Sequence, residues 1–292
     1  MIILTGATGA LNGATAGHLL TSVPASELVV VARDVSKAGQ FADQGVEVRR
    51  GDYADPASLP AAFAGADQLL LVSSSDPRAD AVALHAAAVA AAVEAGVGRI
   101  LYTSHQGASP ETPFGPGRDH AATEQLLAGS GLPWTSLRNG FYAHSLAWLL
   151  GPWRETGVIA VPGDGPVSWT SRDDAAEAAA AILRSEGAYD GPVTLTASAA
   201  PTFEEIAEIA SKATGRTVFF RAMDEEEWLA AQLAAGRPEF VARFTLGMYQ
   251  AAAGGFFAGV DPLLGSLLGR EPRTVHDELA EPAKQGFQDR SQ

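Results

Sequence analysis

The chain has 292 residues, of which 47% are hydrophobic and 18% are charged, a composition typical of a globular protein. Its formal net charge of −14 opposes nonspecific binding to nucleic acid or to an acidic membrane, because long-range electrostatic steering toward either would be repulsive. The absence of cysteine excludes disulfides, thiolate metal sites and thiol nucleophiles.

The start of the chain reads MIILT and runs into a glycine turn, without the basic segment, apolar stretch and cleavage site of an export signal. The most apolar-looking window, residues 79–93, is mostly alanine and is shorter than the roughly 20 residues that span a bilayer. We therefore expect a cytoplasmic protein with no membrane partner.

Through the first half of the chain, short apolar runs alternate with segments rich in alanine, leucine and glutamate. We predict strands at residues 2–4, 28–32, 46–49, 69–72, 100–103 and 135–137. Helices are expected after Gly9, Val35, Ser58, Asp80 and Arg118. Because repeated β-α units with right-handed crossovers build a parallel sheet, residues 1–138 are predicted to form a doubly wound α/β domain of the Rossmann type.

The alternation loosens in the second half of the chain. Helices are predicted at residues 172–183, 203–214, 225–235 and 239–252, with short strands near Val158 and Val193. No flexible linker rich in serine and glycine separates the two halves. We therefore predict that residues 139–292 form a smaller α/β cap for substrate binding, interleaved with the Rossmann part and packed against it.

A glycine-rich turn follows the first predicted strand. Residues 5–13 read TGATGALNG, which places Gly6, Gly9 and Gly13 between a strand and a helix. Glycine permits backbone conformations closed to other residues and lets a pyrophosphate approach the amide groups at the positive helix N-terminus. The glycines could instead serve only to make a tight turn. We predict a dinucleotide site, with contacts from Gly6, Thr8, Gly9, Ala10, Leu11 and Asn12.

The residue just past the second predicted strand selects between the two nicotinamide dinucleotides. Arg33 stands there, and an arginine suits the 2′-phosphate of NADPH, whereas an acid binds the 2′-hydroxyl of NADH. Asp34 follows directly, so NADH stays possible. Arg33 could alternatively be a surface ion-pair partner of Asp34 or Asp52. We predict NADPH as the cofactor.

Several sequence segments together are typical of one family. They are TGATG at the start, VPAS at residues 23–26, DQGVEVRRGDY at 43–53, HAATE at 120–124 and LRNGFY at 137–142, with DDAAEAAAAIL and LLGREPRT later in the chain. On these segments the chain resembles the NmrA-like atypical short-chain dehydrogenases, and among them the type 2 NADPH:quinone oxidoreductases and triphenylmethane-dye reductases. The resemblance covers nearly the whole chain.

The resemblance implies which positions surround the cofactor and the substrate. Besides the glycine turn, the NADPH pocket would be formed by Arg33, Asp52 and Tyr53 beside the adenine, Ser73, Ser74, Ser75 and Asn139. The nicotinamide would lie near Thr103 and Ser104. The substrate would stack over the nicotinamide beneath the cap, against His105, Phe141 and Tyr142.

Two positions depart from the family pattern. Asn12 stands in place of a third motif glycine, and its side chain could either donate to a phosphate or crowd the contact between helix and strand. Asp34 stands where a neutral residue is expected, and its charge should weaken the preference for a 2′-phosphate.

The usual catalytic acid of ketone-reducing short-chain dehydrogenases is absent. When Glu124 is aligned with the glutamate that follows the tyrosine–lysine pair in extended members, the tyrosine position falls on Pro116 and the lysine position on His120. An enzyme without this acid should prefer an acceptor that draws hydride strongly by itself, such as a quinone or a resonance-stabilised cation. His120 and Tyr142 are the candidate catalytic proton donors, although His120 could instead be a packing residue and Tyr142 a pocket wall.

Two classes of function fit these features. One is an NADPH-dependent oxidoreductase that passes hydride to a quinone or a similar electron-poor conjugated acceptor; a reductase or isomerase acting on a biosynthetic aromatic intermediate shares its sequence features. The other is a non-catalytic NAD(P)-sensing regulatory protein, which the missing tyrosine also fits. The histidines show no tight metal-ligand spacing with acidic residues, so no metal is expected. We expect a small aromatic or quinone-like substrate, no nucleic-acid partner, and a monomer or homodimer.

Overall fold

Strands and helices alternate along most of the chain in the computed structural model, which describes residues 1–74 and 79–280. The strands are β1 (Ile2–Thr5), β2 (Leu28–Ala32), β3 (Glu47–Arg50), β4 (Gln68–Leu71), β5 (Ile100–His105), β6 (Trp134–Asn139), β7 (Val158–Val161), β8 (Gly191–Leu195) and β9 (Phe219–Ala222). The α-helices are α1 (Ala10–Leu20), α2 (Gly39–Ala42), α3 (Leu59–Phe63), α4 (Ala81–Glu94), α5 (Gly115–Gly129), α6 (Leu146–Leu149), α7 (Trp153–Thr156), α8 (Arg172–Arg184), α9 (Phe203–Thr214), α10 (Glu225–Ala234), α11 (Glu239–Ala253), α12 (Leu263–Leu268) and α13 (Val275–Ala280).

Seven of the described strands form one parallel sheet. Their order is β3-β2-β1-β4-β5-β6-β8, and every neighbouring pair is parallel. The order reverses beside β1, since β2 and β3 lie on one side of it and β4 lies on the other. Ligands of such sheets bind outside the carboxyl ends of the strands at this reversal. The predicted doubly wound α/β fold of the Rossmann type is confirmed.

Helices cover both faces of the large sheet, so its central strands are apolar on both sides. β2 shows this most clearly, because all five of its residues, LVVVA, are buried. Leu4 and Val30 face one layer, where they pack with Leu19 of α1. Val29 faces the other layer and packs with Phe63 of α3. Each fully buried side chain of this kind stabilises the fold by about 1.5–3 kcal/mol, so the sheet is held firmly between its two layers.

Residues after Asn139 contribute to both parts of the molecule. α8 packs against α1, and β8 pairs with β6 as the last strand of the large sheet. β7 and β9 form a separate two-stranded parallel sheet. Next to that small sheet lies an aromatic core that includes Trp169, Phe203 and Tyr249. The cap boundary at residue 139 stays a prediction, and the chain passes between the large sheet and the small one more than once.

A buried carboxylate joins α8 to the late segment that reads LLGREPRT. Asp174 is fully buried, and its Oδ1 accepts hydrogen bonds from Arg270 Nη2 at 2.9 Å and from Arg273 Nη1 at 2.8 Å. The backbone N–H of Arg273 donates to Asp174 Oδ2 at 2.7 Å. A buried carboxylate is tolerated only with such partners. These bonds therefore fix the late segment onto the Rossmann layer.

The bounds of some elements differ from the sequence expectations. β5 and β6 run on to His105 and Asn139. α5 begins at Gly115 rather than after Arg118, because Pro116 fits the first turn of a helix, where its missing N–H costs nothing. Residues 35–42 form a 3₁₀ turn and a single α-turn instead of a longer helix. The short elements β9, α12 and α13 have no matching prediction. Within the described residues, no helix is both long and apolar enough to span a membrane.

Candidate active site

The glycine turn has the backbone geometry that a bound phosphate needs. Gly6 has a φ of +64°, and a Cβ there would come within 2.5 Å of Val72 Cγ1. A Cβ at Gly13 would lie 2.7 Å from the carbonyl oxygen of Ala7. Gly9 is the N-cap of α1, and no side chain among the described residues caps that helix. The first backbone N–H groups of α1 are therefore left for an anionic ligand at its positive end.

The side chains around the turn differ in exposure. Thr8 and Ala10 are exposed, and Leu11 is half-buried. Asn12 is only 1% exposed, and its Nδ2 donates to the carbonyl oxygen of Thr5 at 2.8 Å. Its Oδ1 is buried and has no hydrogen-bond partner within the described part of the chain. The Asn12 side chain thus ties α1 to the end of β1 and leaves the exposed side of the turn clear.

Arg33 is exposed just past β2 and makes no hydrogen bond or ion pair within residues 1–74 and 79–280. Asp34 accepts hydrogen bonds from the hydroxyl and the N–H of Ser36, at 2.6 and 3.0 Å, and these bonds lower the pKa of its carboxyl group. Asp52 accepts from the N–H of Ala54 at 3.0 Å. The alternative ion pair between Arg33 and Asp34 or Asp52 is therefore not present.

A group of hydrogen bonds joins the ends of β1 and β4 next to the glycine turn. The Tyr53 hydroxyl lies 2.6 Å from Thr5 Oγ1 and donates to the carbonyl oxygen of Val72 at 3.1 Å. The N–H of Val72 donates to Thr5 Oγ1 at 2.9 Å. Burial raises the pKa of the Tyr53 hydroxyl well above its ordinary value, so it stays protonated. These bonds hold Tyr53 and the half-buried Asp52 beside the turn.

Hydrogen bonds from the backbone connect the ends of β4 and β5. The N–H of Ser73 donates to Thr103 Oγ1 at 2.8 Å, and Thr103 Oγ1 donates to Ser73 Oγ at 3.3 Å. The N–H of Ser74 donates to His85 Nε2 at 2.8 Å. Ser75 lies outside the described residues. Ser73, Ser74 and Thr103 thus meet at the sheet edge that also carries the glycine turn.

Ser104 faces away from this group, because successive side chains of a strand point to opposite faces. Its hydroxyl donates to Glu124 Oε1 at 2.8 Å. Ser136 and Arg138 donate to the same oxygen, at 2.6 and 2.9 Å. Glu124 is only 7% exposed, and these donors satisfy its buried carboxyl oxygens. Ser104 therefore supports a buried ionic cluster, and the structure does not bring its hydroxyl to that of Thr103.

Asn139 and Tyr142 lie at the carboxyl end of β6. Asn139 Nδ2 donates to the Tyr142 hydroxyl at 3.2 Å, while Asn139 Oδ1 is buried without a partner among the described residues. The Tyr142 ring stacks on His144 with 5.8 Å between centroids, and the Arg172 guanidinium lies 5.6 Å from the Tyr142 centroid. Burial raises the pKa of Tyr142 to about 12. These surroundings do not favour Tyr142 as a proton donor.

His105 stands at the end of β5 among three phenylalanine rings. Its centroid lies 5.7 Å from that of Phe114, 5.4 Å from that of Phe141 and 5.2 Å from that of Phe257. We call these four residues the aromatic cage. Phe141 and His105 are predicted substrate residues, whereas Phe114, which lies shortly after β5, and Phe257, which lies far along the chain, are missed. Gly107 is a local signal for Phe257, since a Cβ there would lie 2.5 Å from its ring.

A chain of hydrogen bonds links α4, β5 and α5 behind the aromatic cage. His85 Nδ1 lies 2.8 Å from Thr123 Oγ1, and the Thr123 hydroxyl donates to the carbonyl oxygen of Asp119 at 2.8 Å. The Tyr102 hydroxyl lies 2.8 Å from His120 Nδ1. Tyr102 and His85 are buried strand and helix residues that sequence reasoning missed. Their positions orient His120 toward the cage.

The three imidazoles near the site are neutral at ordinary pH. Burial lowers the pKa of His85 and of His105 to about 4. Burial, followed by the nearby rings of His105 and His85, lowers the pKa of His120 well below its usual range. A neutral imidazole donates one hydrogen bond but carries no extra proton to transfer. The surroundings therefore do not favour the predicted role of His120 as a catalytic proton donor.

The reversal of strand order beside β1, the glycine turn and the arginine past β2 define a dinucleotide-binding protein of the Rossmann class. The family model for NmrA-like proteins matches residues 1–252. The chain belongs to the NmrA-like family, and the resemblance expected from its sequence segments is confirmed.

Individual relatives are similar over almost their whole length. Quinone oxidoreductase 2 of Escherichia coli strain K12 is 35% identical over 96% of this chain and 98% of the relative. A solved NADPH-dependent quinone oxidoreductase from Escherichia coli, complexed with NADPH, has a TM-score of 0.87 and 34% identity, covering 96% of this chain and 99% of that chain. Triphenylmethane reductase of Citrobacter sp., complexed with NADP(H), has a TM-score of 0.84 and 36% identity, covering 96% and 99%.

Proposed function

We propose that this chain is an NADPH-dependent reductase that passes hydride directly to a quinone or a similarly electron-poor conjugated acceptor. One observation carries the proposal: the glycine turn follows β1, and the aromatic cage surrounds the end of β5 at the same sheet edge. Because only β4 stands between β1 and β5 in the sheet, a dinucleotide held at the turn can reach the cage. The reactions named for the similar enzymes support the same class.

The residues at the cofactor end fit NADPH. Backbone N–H groups at the start of α1 would hold the pyrophosphate, and Arg33 would hold the 2′-phosphate. Asp52 and Tyr53 would lie beside the adenine. Asn139 Oδ1 is a buried acceptor without a donor in the described residues, and an amide N–H of the nicotinamide would satisfy it. When bound, NADPH supplies a hydride and is oxidised to NADP⁺, while the acceptor takes one proton from water.

The proposed reaction needs no tyrosine–lysine pair. When Glu124 is aligned with the glutamate that follows that pair, Pro116, in the first turn of α5, and His120 take the two positions. A positioned acid contributes about 10²–10⁴-fold where proton transfer accompanies the difficult step. A quinone accepts hydride before it takes a proton, so this contribution is not required. Simple ketones, which need the acid, should be reduced far more slowly by this chain.

The rings of the aromatic cage pack against one another, so the cage would offer a flat conjugated acceptor an apolar wall. Ring pairs with this geometry contribute about 0.5–1.5 kcal/mol beyond the burial of their area. Phe244 of α11 extends the cage outward, since it is 42% exposed and its centroid lies 5.3 Å from that of Phe114. A second aromatic ring of an acceptor could therefore be held outside the cage.

A cofactor titration followed by an acceptor panel tests the proposal. NADPH should bind saturably and more tightly than NADH, and its oxidation should accelerate with quinones but not with simple ketones of similar size. Equal affinity for oxidised and reduced cofactor, without turnover on any acceptor, would instead support the NAD(P)-sensing regulatory protein. If no nicotinamide dinucleotide bound saturably, both functions would be abandoned.

A further inference from the structure

The imidazole rings of His105 and His120 form a near-parallel pair at the aromatic cage. Their centroids are 6.2 Å apart, and their planes differ by 24°. The Nδ1 atom of each ring is already engaged, in His105 by the N–H of Gly107 at 3.0 Å and in His120 by the hydroxyl of Tyr102 at 2.8 Å. The nitrogen that remains for a ligand on each ring is therefore Nε2, which is either a hydrogen-bond donor or an acceptor.

The contact with Gly107 determines where His105 carries its proton. A backbone N–H can only donate, so Nδ1 of His105 is an acceptor and is unprotonated. Burial keeps the ring neutral by lowering its pKa to about 4. The one ring proton is then on Nε2, and His105 presents an N–H donor.

A similar argument determines the protonation of His85, which lies behind the pair. The N–H of Ser74 donates to His85 Nε2 at 2.8 Å, so the proton of the neutral His85 ring is on Nδ1. This proton is directed to Thr123 Oγ1 at 2.8 Å. The Thr123 hydroxyl donates a hydrogen bond to the carbonyl oxygen of Asp119.

The protonation of His85 limits the protonation of His120 through Tyr102. The Tyr102 hydroxyl has two nitrogen neighbours, His120 Nδ1 at 2.8 Å and His85 Nδ1 at 3.5 Å. His85 Nδ1 is already protonated and cannot accept, so of these two nitrogens only His120 Nδ1 can accept; Tyr102 also hydrogen-bonds to Thr123. When Tyr102 donates to His120 Nδ1, the proton of the neutral His120 ring is on Nε2, and both rings of the pair present Nε2–H donors.

Both Nε2 atoms are open to a ligand. Neither makes a hydrogen bond within the described residues, and both histidines are partly exposed. Neither atom is among the buried polar atoms without a partner in the described chain, which are Asn12 Oδ1, Gln68 Oε1, Asn139 Oδ1 and Trp169 Nε1. With Tyr102 donating to His120, two N–H donors are available at the carboxyl edge of the sheet, within the proposed acceptor site.

We propose that His105 and His120 donate a pair of hydrogen bonds to the oxygen of a carbonyl-type acceptor and thereby select quinones over cationic dyes. This inference rests on the proposed reductase function. As the hydride of NADPH adds to a quinone, a carbonyl electron pair moves onto oxygen; that oxygen then takes a proton from water, and NADP⁺ leaves. Pre-positioned N–H donors stabilise the negative charge that develops on the oxygen. A cationic triarylmethane dye develops no such charge, because hydride neutralises its central carbon.

Matched substitutions separate the N–H donor from the bulk of the ring. His105→Leu and His120→Leu remove the donor, whereas His105→Gln and His120→Gln keep an amide N–H close to the place of Nε2. With saturating NADPH, kcat/KM for a naphthoquinone should fall about 10- to 100-fold in each leucine variant and change less than about threefold for crystal violet. The glutamine variants should recover most of the quinone activity. His276→Leu is the control, since His276 is exposed on α13.

The ring nitrogens give a second readout that needs neither cofactor nor acceptor. NMR shifts of the imidazole nitrogens in the unliganded protein should show Nε2–H tautomers for both histidines, and an Nδ1–H tautomer in either would overturn the proposal. Equal losses on the quinone and the dye, with normal NADPH binding, would overturn it while leaving the reductase function in place. If the wild-type chain bound NADPH but reduced neither acceptor, the reductase function would fail and the donor pair with it.

Discussion

The cofactor end of the candidate site is built from backbone groups, whereas the acceptor end is built from side chains. At the cofactor end, one continuous turn, residues 6–13, presents backbone N–H groups at the start of α1. At the acceptor end, side chains from β5, the start of α5, the end of β6 and the loop after α11 meet around His105. A site made of backbone is sensitive to any added Cβ, whereas a site made of side chains depends on the volume of each ring.

The largest effect is expected at the acceptor end, from Phe257→Ala. Phe257 is fully buried against His105, Phe114 and Phe141. The cavity left by its ring should lower the free energy of unfolding by about 3–5 kcal/mol in urea denaturation. Quinone kcat/KM should fall in the folded fraction, while the Kd for NADPH stays within about twofold if the two ends are independent. Phe240→Ala, at a ring that is 59% exposed on α11, should change stability by less than about 0.5 kcal/mol.

At the cofactor end, Gly6→Ala should act through the backbone. The new Cβ would meet Val72 Cγ1 at 2.5 Å in a left-handed conformation, which should destabilise the fold by about 1–3 kcal/mol. The shifted turn should weaken NADPH binding by about tenfold or more, since about 1.4 kcal/mol at the phosphate site is a factor of ten. Gly17→Ala is the matched control in α1, because a Cβ there meets nothing within 4 Å. Wild-type NADPH affinity in Gly6→Ala would show that the phosphates bind elsewhere.

Most of the cofactor end could be predicted from the sequence because its parts are contiguous. The turn at residues 6–13 and Arg33 stand directly after apolar strands, and strands buried on both faces leave continuous apolar runs. β8 is the strand predicted near Val193, but the sequence pattern does not place that strand in the large sheet. Its residues are partly exposed, and its place beside β6 depends on a crossover that no local pattern records.

The acceptor end could be predicted only in part, since its geometry depends on contacts between distant residues. Phe114 and Phe257 lie outside every sequence motif that indicates the site, and the local signal for Phe257 is Gly107, where a Cβ would meet its ring. Strand alternation alone could have separated Thr103 from Ser104. The neutral state of His120 comes from burial and neighbouring rings, and neither is visible in the motif HAATE.

Arg33→Ala should affect only the cofactor end, and only for one cofactor. Arg33 makes no bond within the described residues, so its removal should leave the fold intact. NADPH affinity should fall about tenfold in calorimetric titration, because a charged hydrogen bond to the 2′-phosphate is lost. NADH affinity should stay unchanged. Arg243→Ala is the control, as its pairing with Glu239 on the surface of α11 lies outside the site. Equal losses for both cofactors would assign Arg33 a structural role.

The neutral histidines behind the acceptor end should make the fold sensitive to acid. Burial lowers the pKa of His85 from 6.5 to about 4, so the unfolded chain binds this proton more readily than the folded one. The free energy of unfolding should therefore fall as pH drops from about 6.5 toward about 4, by at most about 1.4 kcal/mol per pH unit for each such histidine. In urea denaturation, His85→Gln should remove the part of this pH dependence that comes from His85. An unchanged slope would mean that His85 is already charged in the folded protein.

The smallest effect is expected in the pH dependence of quinone reduction itself. The pKa of His105, about 4, lies below the range from about pH 6 to about pH 9, and the pKa of Tyr142, about 12, lies above it. Neither group changes its charge within that range, so kcat/KM at saturating NADPH should vary by less than about twofold there. A neutral donor pair works at every pH in this range, whereas a catalytic acid stops working above its pKa. A fall in rate with a midpoint inside the range would therefore return His120 or Tyr142 to the role of proton donor.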